Sequence, residues 1–214
     1  MSTVTKHLQS HQRRPEARPQ ELLKAALDLF AEKGYSATRL EDVAIRAGVT
    51  KGTLYIYFEN KAALFRAVVE DGIFPVLDKG EDIVANFAGG TSELLSYMTQ
   101  TWWTLVGESK LSGICKIMVA EAANFPEMAA YFHNEVIVRG ERLARKIIET
   151  GINTGEFRAI DIEVAVDSLF SPILKLMLWR HSFANYSQSA LEPRAYIEKH
   201  LDIVLNGLMA GAKS

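Results

Sequence analysis

Three side chains of this 214-residue sequence have types that carry out nucleophilic or metal-assisted chemistry, namely Cys115, Glu121 and His133. A catalytic centre needs a nucleophile with a base and an orienting group, or a metal held by ligands at a characteristic spacing. The three residues match no such spacing, although Glu121 and His133 are an alternative pair of metal ligands. We therefore expect a protein that is not an enzyme, with no catalytic residue, no metal site and no cofactor.

A second group of residues has types suited to contact with nucleic acid. In the segment from Lys51 to Phe58, Leu54 and Phe58 are spaced to share one helical face, which we expect to be buried. Threonine and aliphatic side chains can contact base edges or thymine methyl groups in a groove, and tyrosine hydroxyls can reach phosphates. The alternative is that the tyrosines pack on neighbouring helices. The side chains that project away from the buried face are Lys51, Thr53, Tyr55, Ile56 and Tyr57.

Short helices position this segment. Apolar residues recur at helical spacing from Pro19 to Lys33, and Thr38 with Glu41 fits a capping box at the start of a second helix. Gly48 then lies in a turn, and Thr50 is a candidate N-cap for the third helix. Two short helices joined by a turn that contains glycine form the helix-turn-helix arrangement.

The charge distribution agrees with a nucleic-acid partner at this end of the chain. The whole sequence has 24 basic and 26 acidic residues, but Met1 to Arg66 contains 11 basic and 7 acidic ones. A basic module joined to an acidic body is expected when only one end meets phosphates, and an exposed basic tail is the alternative. Asn60 can cap a fourth helix beginning at Lys61, whose amide end and ammonium group would form an anion site.

Composition limits the remaining classes. With 48% hydrophobic and 23% charged residues, the chain can bury a large core and is not disordered throughout. The N-terminal stretch lacks the apolar region of a signal peptide, and no apolar run reaches the ~20 residues that a bilayer requires. Cys115 is the single cysteine, which excludes an intrachain disulfide. We expect a cytoplasmic protein with no membrane partner.

The stretch ALDLFAEKGYSATRLEDVAIRAGVTKGTLYIYFENKAALF, within Leu22 to about Leu64, resembles the DNA-binding domain of the TetR (tetracycline-repressor) family of transcriptional regulators. The segment EAANFPEMAAYFHNEVIVRG resembles the C-terminal domain of an AefR-like subgroup. The resemblance implies an all-α homodimer of about nine helices per chain. Its small N-terminal domains would bind a pseudo-palindromic operator, and its larger domain would bind a small-molecule ligand and dimerise.

The resemblance also implies roles for individual residues. Base or groove contacts fall on Lys51, Gly52, Thr53, Tyr55 and Ile56. Phosphate contacts fall on Thr38, Thr50, Tyr57 and Lys61. Arg39 is a further contact residue or pairs with an acidic neighbour. The basic arm, with Arg13, Arg14 and Arg18, is expected to clamp phosphates or enter the minor groove, or to be disordered in free solution.

We expect three regions: a flexible basic arm over residues 1–16, a helix-turn-helix domain over 17–66, and a ligand-binding and dimerisation domain over 67–214. In the third region, aromatic and sulfur-bearing side chains are candidates for a mostly apolar pocket with few polar anchors, and the alternative is ordinary core packing. The candidate pocket residues are Trp102, Trp103, Cys115, Met118, Glu121, Phe125, His133, Phe170, Leu174 and Met177.

The last two predicted helices suggest a dimer interface. Pro172 interrupts the first of them, so we expect a kink or a local break there. An apolar stripe on the second has i, i+3/i+4 spacing and is either core or the seam of a two-fold dimer, and the resemblance favours the seam. The predicted interface residues are Leu169, Ile173, Leu176, Ile197, Leu201, Val204, Leu205 and Leu208.

The sequence thus predicts a ligand-responsive transcriptional repressor that an apolar or amphipathic effector releases from DNA. The main alternative is a helical interaction module that does not bind DNA. That alternative explains the acidic body but gives no purpose to Tyr55, Ile56 and Tyr57.

Overall fold

The computed structural model describes residues 18–186 and 192–210. Within these ranges the regular elements are helices, and one isolated bridge joins Phe157 to Met209. The α-helices are α1 (Arg18–Lys33), α2 (Leu40–Arg46), α3 (Lys51–Tyr57), α4 (Lys61–Gly72), α5 (Phe74–Asn86), α6 (Thr91–Trp102), α7 (Ser112–Glu121), α8 (Pro126–Phe132), α9 (Val138–Thr154), α10 (Ile162–Ser182) and α11 (Pro193–Leu208).

Several of these helices run on into one another. A single residue separates α4 from α5, and a π-helical turn, His133–Ile137, joins α8 to α9. A second π-helical turn, Trp103–Gly107, extends α6, and a short 3₁₀ helix, Ala184–Tyr186, follows α10. Counted as continuous rods, the described residues form nine helices, which confirms the predicted all-α fold.

The N-terminal module, α1 to α4, is built around an aromatic cluster. Phe30, Tyr35 and Phe65 lie within 5.6 Å of one another between ring centroids. Leu54 is fully buried and Phe58 is buried beside it, as the helical spacing predicts. The predicted boundary between residues 66 and 67 falls inside α4, so this helix belongs to both parts of the chain.

Capping residues and glycines set the ends of these short helices. The Thr50 hydroxyl accepts a hydrogen bond from the Thr53 amide, and the Asn60 side chain accepts one from the Ala63 amide. Both caps agree with the sequence prediction. Gly34 and Gly48 have φ of 82° and 68°, in the left-handed region that glycine adopts without strain, where α1 and α2 end.

The predicted capping box at Thr38 is wrong. The N-cap of α2 is Arg39, and no side chain caps that helix. Thr38 is almost fully buried, and its hydroxyl donates to the carbonyls of Leu29 and Gly34. The hydroxyl therefore closes the turn after α1 and does not cap α2.

The C-terminal module, α5 to α11, packs α6 and α10 against α9, and α11 against α10 and α6. α10 continues through Pro172 without an interruption, so the predicted local break is absent. The loop before α10 is fastened to the start of α6 by the Glu156 carboxylate, which accepts from the amides of Thr91 and Ser92 and from the Ser92 hydroxyl. No helix in the described part of the chain is long and apolar enough to span a membrane.

Candidate nucleic-acid interface and ligand cavity

The outer face of α3, formed by Gly52, Thr53 and Ile56 with Tyr55 beside them, points away from the protein. Ile56 is 78% exposed and Tyr55 is 45% exposed, whereas Leu54 on the opposite side has no exposed surface. At 100° per residue, Ile56 lies directly opposite the face that Leu54 and Phe58 bury. The alternative in which Tyr55 is packed away does not hold, and Tyr57, 39% exposed, is also accessible.

The polar side chains of α3 have partners within the protein. The hydroxyls of Thr50 and Thr53 lie 2.9 Å apart, and the Lys51 ammonium lies 2.5 Å from the Glu41 carboxylate. The hydrogen bond to Glu41 raises the pKa of Lys51. Lys51 also lies 5.7 Å from the centroid of the Tyr55 ring. Since exposed ion pairs contribute little stability, Lys51 can exchange Glu41 for a phosphate at little cost.

Lys61 holds the turn between α1 and α2. Its ammonium donates to the carbonyls of Tyr35, Ser36 and Thr38 at 2.8, 3.2 and 3.2 Å, and partial burial lowers its pKa. In this structure the ammonium of Lys61 and the hydroxyl of Thr38 are thus both used internally. The predicted anion site combined the Lys61 ammonium with the N-terminal end of α4. The part of it that remains exposed is the helix end, which Asn60 caps.

Two further predicted contact residues are open to solvent. Arg39 is exposed at the start of α2, and Gly52 is exposed in the first turn of α3. A Cβ added at Gly52 would meet only the Thr50 hydroxyl, at 3.9 Å, so the fold itself does not require glycine there. The arm residues Arg13 and Arg14 and the side chain of Arg18 lie outside the described part of the chain.

A cavity of about 50 Å³ lies between α5, α6, α9 and α10. The polar side-chain groups among its lining residues are the Thr99 hydroxyl, which donates to the Leu95 carbonyl at 2.8 Å, and the Trp102 indole N–H. The wall therefore favours an apolar occupant. The lining consists of Val76, Leu77, Gly80, Leu95, Met98, Thr99, Trp102, Gly140, Leu143, Ala144, Ile147, Leu169, Phe170 and Ile173.

Two of the ten predicted pocket residues line this cavity. Trp102 and Phe170 lie in the cavity wall. Trp103, Met118 and Met177 are buried in the core elsewhere, and Cys115 is half-buried outside the wall. His133 and Leu174 face solvent, while Glu121 and Phe125 lie at the contact with the N-terminal module. Residue type alone cannot show which buried face adjoins a void, and the sequence prediction missed the whole contribution of α5 and α9.

Most of the predicted dimer seam lies in the core of the single chain. Six of its residues are buried within the single chain: Leu169, Ile173, Leu176, Ile197, Leu201 and Leu208. Val204 and Leu205 are half-buried against the same core. The stripe marks the face that each helix turns toward its own chain. On the opposite faces, α10 exposes Val164 and Leu174, and α11 exposes Ile203.

Contacts at both ends of α7 join the two modules. At its C-terminal end, the Glu121 carboxylate accepts from the Ser36 amide at 3.3 Å and from the Asn124 side chain at 3.1 Å. Phe125 places its ring edge-on to Tyr35, with centroids 4.7 Å apart. The turn between α1 and α2 is therefore fastened to the C-terminal module by a charged hydrogen bond and an aromatic contact.

At the N-terminal end of α7, three further contacts meet. Lys110, just before α7, pairs with Asp28 of α1 at 2.5 Å. Gly113 packs so closely on α1 that a Cβ would lie 3.2 Å from the Cβ of Ala31. The Ser112 hydroxyl lies 2.8 Å from Nε2 of His181 in α10, and burial lowers the pKa of that histidine. Since α10 also lines the cavity, α7 links the cavity wall to the N-terminal module.

Comparison with known proteins agrees with this two-part architecture. Residues 22–68 match the model of bacterial regulatory proteins, tetR family, and residues 93–207 match that of the AefR-like transcriptional repressor, C-terminal domain. The chain is 32% identical over 182 residues to the uncharacterized HTH-type transcriptional regulator YdeS of Bacillus subtilis (strain 168), which covers 80% of this chain and 84% of that protein.

A second relative is the HTH-type transcriptional repressor KstR2 of Rhodococcus jostii (strain RHA1), 27% identical over 190 residues, with 88% of this chain and 89% of that protein covered. The same fold is found in the transcriptional regulator FadR from Bacillus subtilis in complex with stearoyl-CoA, with a TM-score of 0.72, 20% identity and coverage of 88% and 98%. It is found also in the SmeT–triclosan complex, with a TM-score of 0.73, 21% identity and coverage of 92% and 93%.

The AefR-like model alone spans more than half of the chain, and the model of the N-terminal domain covers the helices that carry the exposed outer face of α3. Both family models and both relatives named above describe transcriptional regulators, not enzymes. The chain therefore belongs to the tetR family of bacterial regulatory proteins.

Proposed function

We propose that this regulator is a repressor which binds a pseudo-palindromic operator as a homodimer and is released by an apolar or amphipathic effector. The observation that carries the proposal is the outer face of α3, where Ile56 and Tyr55 remain exposed on a helix whose start is capped by Thr50. A solvent-facing isoleucine on so short a helix has no role in the fold, whereas a major groove accepts such a helix.

Exposed faces of α10 and α11 support the dimer. Val164 and Leu174 on α10 and Ile203 on α11 are between 38% and 71% exposed. Two copies that pack these faces together about a two-fold axis would remove the apolar side chains from water. Such a dimer presents two α3 helices. A pseudo-palindromic operator offers two half-sites whose centres lie about 34–36 Å apart, one for each helix.

The cavity supports the choice of effector. Its wall offers mostly apolar surface, with a threonine hydroxyl that already has an acceptor and the indole N–H of Trp102. At about 50 Å³ it is far smaller than the roughly 300–1,000 Å³ of ordinary ligand pockets, so an effector must push its walls apart. The two structural neighbours were solved with stearoyl-CoA and with triclosan, which both have large apolar parts.

Release follows from the contacts of α7. If an effector displaces α10, the Ser112–His181 contact carries the movement to α7, whose far end holds the turn at Ser36. The two α3 helices of a dimer would then leave the spacing that successive turns of DNA demand. An effector acts in this way only if it binds the expanded cavity more tightly than the contracted one.

DNA binding is tested by selecting duplexes from a random pool and measuring the affinity of the full chain by fluorescence anisotropy at several salt concentrations. We expect affinity to fall steeply with salt, because phosphate contacts release counterions. The Tyr57→Ala variant should bind all duplexes more weakly. Tyr97→Ala is the matched control, because Tyr97 of α6 is 47% exposed and Tyr57 is 39% exposed. Absent or salt-insensitive binding would contradict the repressor proposal.

The effector site is tested by thermal shift with stearoyl-CoA and triclosan as probes. Gly140 lines the cavity, and a Cβ there would meet no atom within 4 Å, so the Gly140→Leu variant should fill the space and abolish the shift. Ala85→Leu, at an exposed position of α5, is the control and should keep it. A probe that stabilises both variants equally binds elsewhere. Sedimentation at micromolar concentration tests the dimer, and a monomer would contradict the half-site model.

A further inference from the structure

We propose that Ile56 determines operator specificity by contacting a thymine methyl group, so that each half-site contains an A·T pair read through that methyl. The inference rests on the proposed DNA binding and adds the kind of base that α3 recognises. It follows from the chemistry of the outer face of α3, in which the most exposed side chain is aliphatic.

The composition of α3 limits how it can recognise bases. Its seven residues, KGTLYIY, include no Arg, Asn, Gln, Asp or Glu, the side chains that form the strong hydrogen-bonded pairs with guanine, adenine or cytosine edges. Lys51, the charged side chain of α3, lies 2.5 Å from the Glu41 carboxylate and must leave that exposed ion pair to reach a guanine. Hydrogen-bonded readout from α3 is therefore restricted.

The hydroxyl groups near the start of α3 are also engaged. Thr50 accepts from the Thr53 amide at 3.1 Å, and the two threonine hydroxyls lie 2.9 Å apart. This pairing caps the helix and orients the Thr53 side chain. Ile56 lies one turn beyond Gly52 on the outer face, and its side chain has no polar atom and is 78% exposed.

Geometry places the Ile56 side chain where base edges would lie. It is opposite the buried face of α3, and Gly52, one turn earlier, presents no side chain that would keep the helix away from the groove floor. Of the four base pairs, A·T and T·A carry a methyl group in the major groove. An aliphatic side chain gains from that methyl by excluding water, and gains nothing comparable from the polar edges of guanine and cytosine.

The test uses a duplex selected from a random pool. Each thymine in turn is replaced by deoxyuridine, which removes the C5 methyl and leaves base pairing unchanged. For the unmodified protein we expect one position in each half-site where affinity falls about fourfold, the effect of one buried methyl-sized group. For the Ile56→Ala variant the same replacement should have no effect, and for Ile56→Val it should have an intermediate one.

Ile45→Ala is the matched control, because Ile45 of α2 is 77% exposed and lies in the same module. It should retain the full deoxyuridine effect, and its thermal stability should equal that of Ile56→Ala. If no thymine is sensitive, or if Ile56→Ala keeps the same sensitivity as the unmodified protein, the methyl contact is wrong. If the unmodified protein shows no salt-dependent DNA binding at all, the proposed function itself is contradicted. A wrong methyl contact and a wrong repressor function therefore give different results.

Discussion

The outer face of α3 and the cavity are both apolar at their centre, yet they are built in opposite ways. Ile56 is exposed at the end of a helix whose polar neighbours, Thr53 and Lys51, are already paired. The cavity is lined by residues of four helices, and its one hydroxyl-bearing wall residue, Thr99, donates to a carbonyl of its own helix. On the outer face of α3, an exposed apolar side chain can recognise a ligand while its polar neighbours form hydrogen bonds or ion pairs. In the cavity, a polar group without a partner would cost free energy, so the polar groups of the wall must be hydrogen-bonded.

The cores behind the two surfaces differ as well. Behind α3, the rings of Phe30, Tyr35 and Phe65 are packed in mutual contact, and Phe65 has no exposed surface. Behind the cavity, the packing is incomplete, and Phe170 is only half-buried in its wall. We expect the N-terminal module to be rigid and the cavity wall to yield, which is the division of roles that release by an effector requires.

The largest expected effect comes from removing an aromatic ring from each core. Phe65→Ala should lower the free energy of unfolding by about 3–5 kcal/mol, because the ring is fully buried in a close-packed cluster. Phe170→Ala should lower the free energy of unfolding by clearly less, since the Phe170 ring borders the cavity and solvent. Chemical denaturation measures both. Equal losses would mean that the cavity wall is packed as tightly as the N-terminal core.

The next effect concerns Glu156, which fastens the C-terminal module at the start of α6. Burial raises the pKa of this carboxyl, but the hydrogen bonds from Ser92 and Thr91 outweigh it and lower the pKa from 4.5 to about 2. A lowered pKa stabilises the folded state above pH 4.5, and the stabilisation is lost as pH falls toward about 2. Glu156→Gln should therefore cost about 1–2 kcal/mol at neutral pH and little near pH 2.

Denaturation between pH 2 and 7 tests this prediction. Glu163→Gln is the control, because Glu163 pairs with Arg145 on the surface and its removal should change stability little. A Glu156→Gln variant that loses as much stability at pH 2 as at pH 7 would show that the charge of Glu156 is not what stabilises the loop.

The next prediction concerns the hydrogen bond from the Ser36 amide to Glu121, which joins the two modules. In Glu121→Ala the Ser36 amide loses its acceptor, so hydrogen exchange at that amide should rise by about tenfold. Glu121→Gln should restore part of the protection, since its side-chain carbonyl can still accept. Amides of α3 should exchange as before. Unchanged protection at Ser36 would mean that Phe125 and Lys61 hold the turn without Glu121.

The smallest effects come from two helical glycines with room for a methyl group. Gly140→Ala in α9 should stabilise the protein by about 0.5–1 kcal/mol, because alanine favours the helix and its Cβ meets no atom within 4 Å. Gly52→Ala in α3 should also stabilise it, by about 0.5 kcal/mol, but should weaken DNA binding by crowding the outer face. Thermal unfolding and anisotropy measure the two properties. If Gly52→Ala binds DNA normally, the outer face of α3 does not approach a groove closely.

Much of the N-terminal module could be predicted from sequence because its signals are local. Thr50 and Asn60 cap helices within three residues of the groups they bind, and Leu54 and Phe58 share a face by spacing alone. Thr38 shows the limit of such reasoning. Its spacing to Glu41 fits a capping box, but its hydroxyl finds buried carbonyls of α1 and of the following turn.

In the C-terminal module the sequence determined that the helices are amphipathic, and only the tertiary structure decided what each apolar face meets. Leu201 and Leu208 form a stripe that fits a dimer seam or a core equally well, and the structure buries both within one chain. Glu121 and Phe125 are equally plausible in a pocket, yet they contact the N-terminal module. The cavity is formed by residues distant in sequence, such as Val76 and Phe170, whose meeting depends on helix packing that no local spacing encodes.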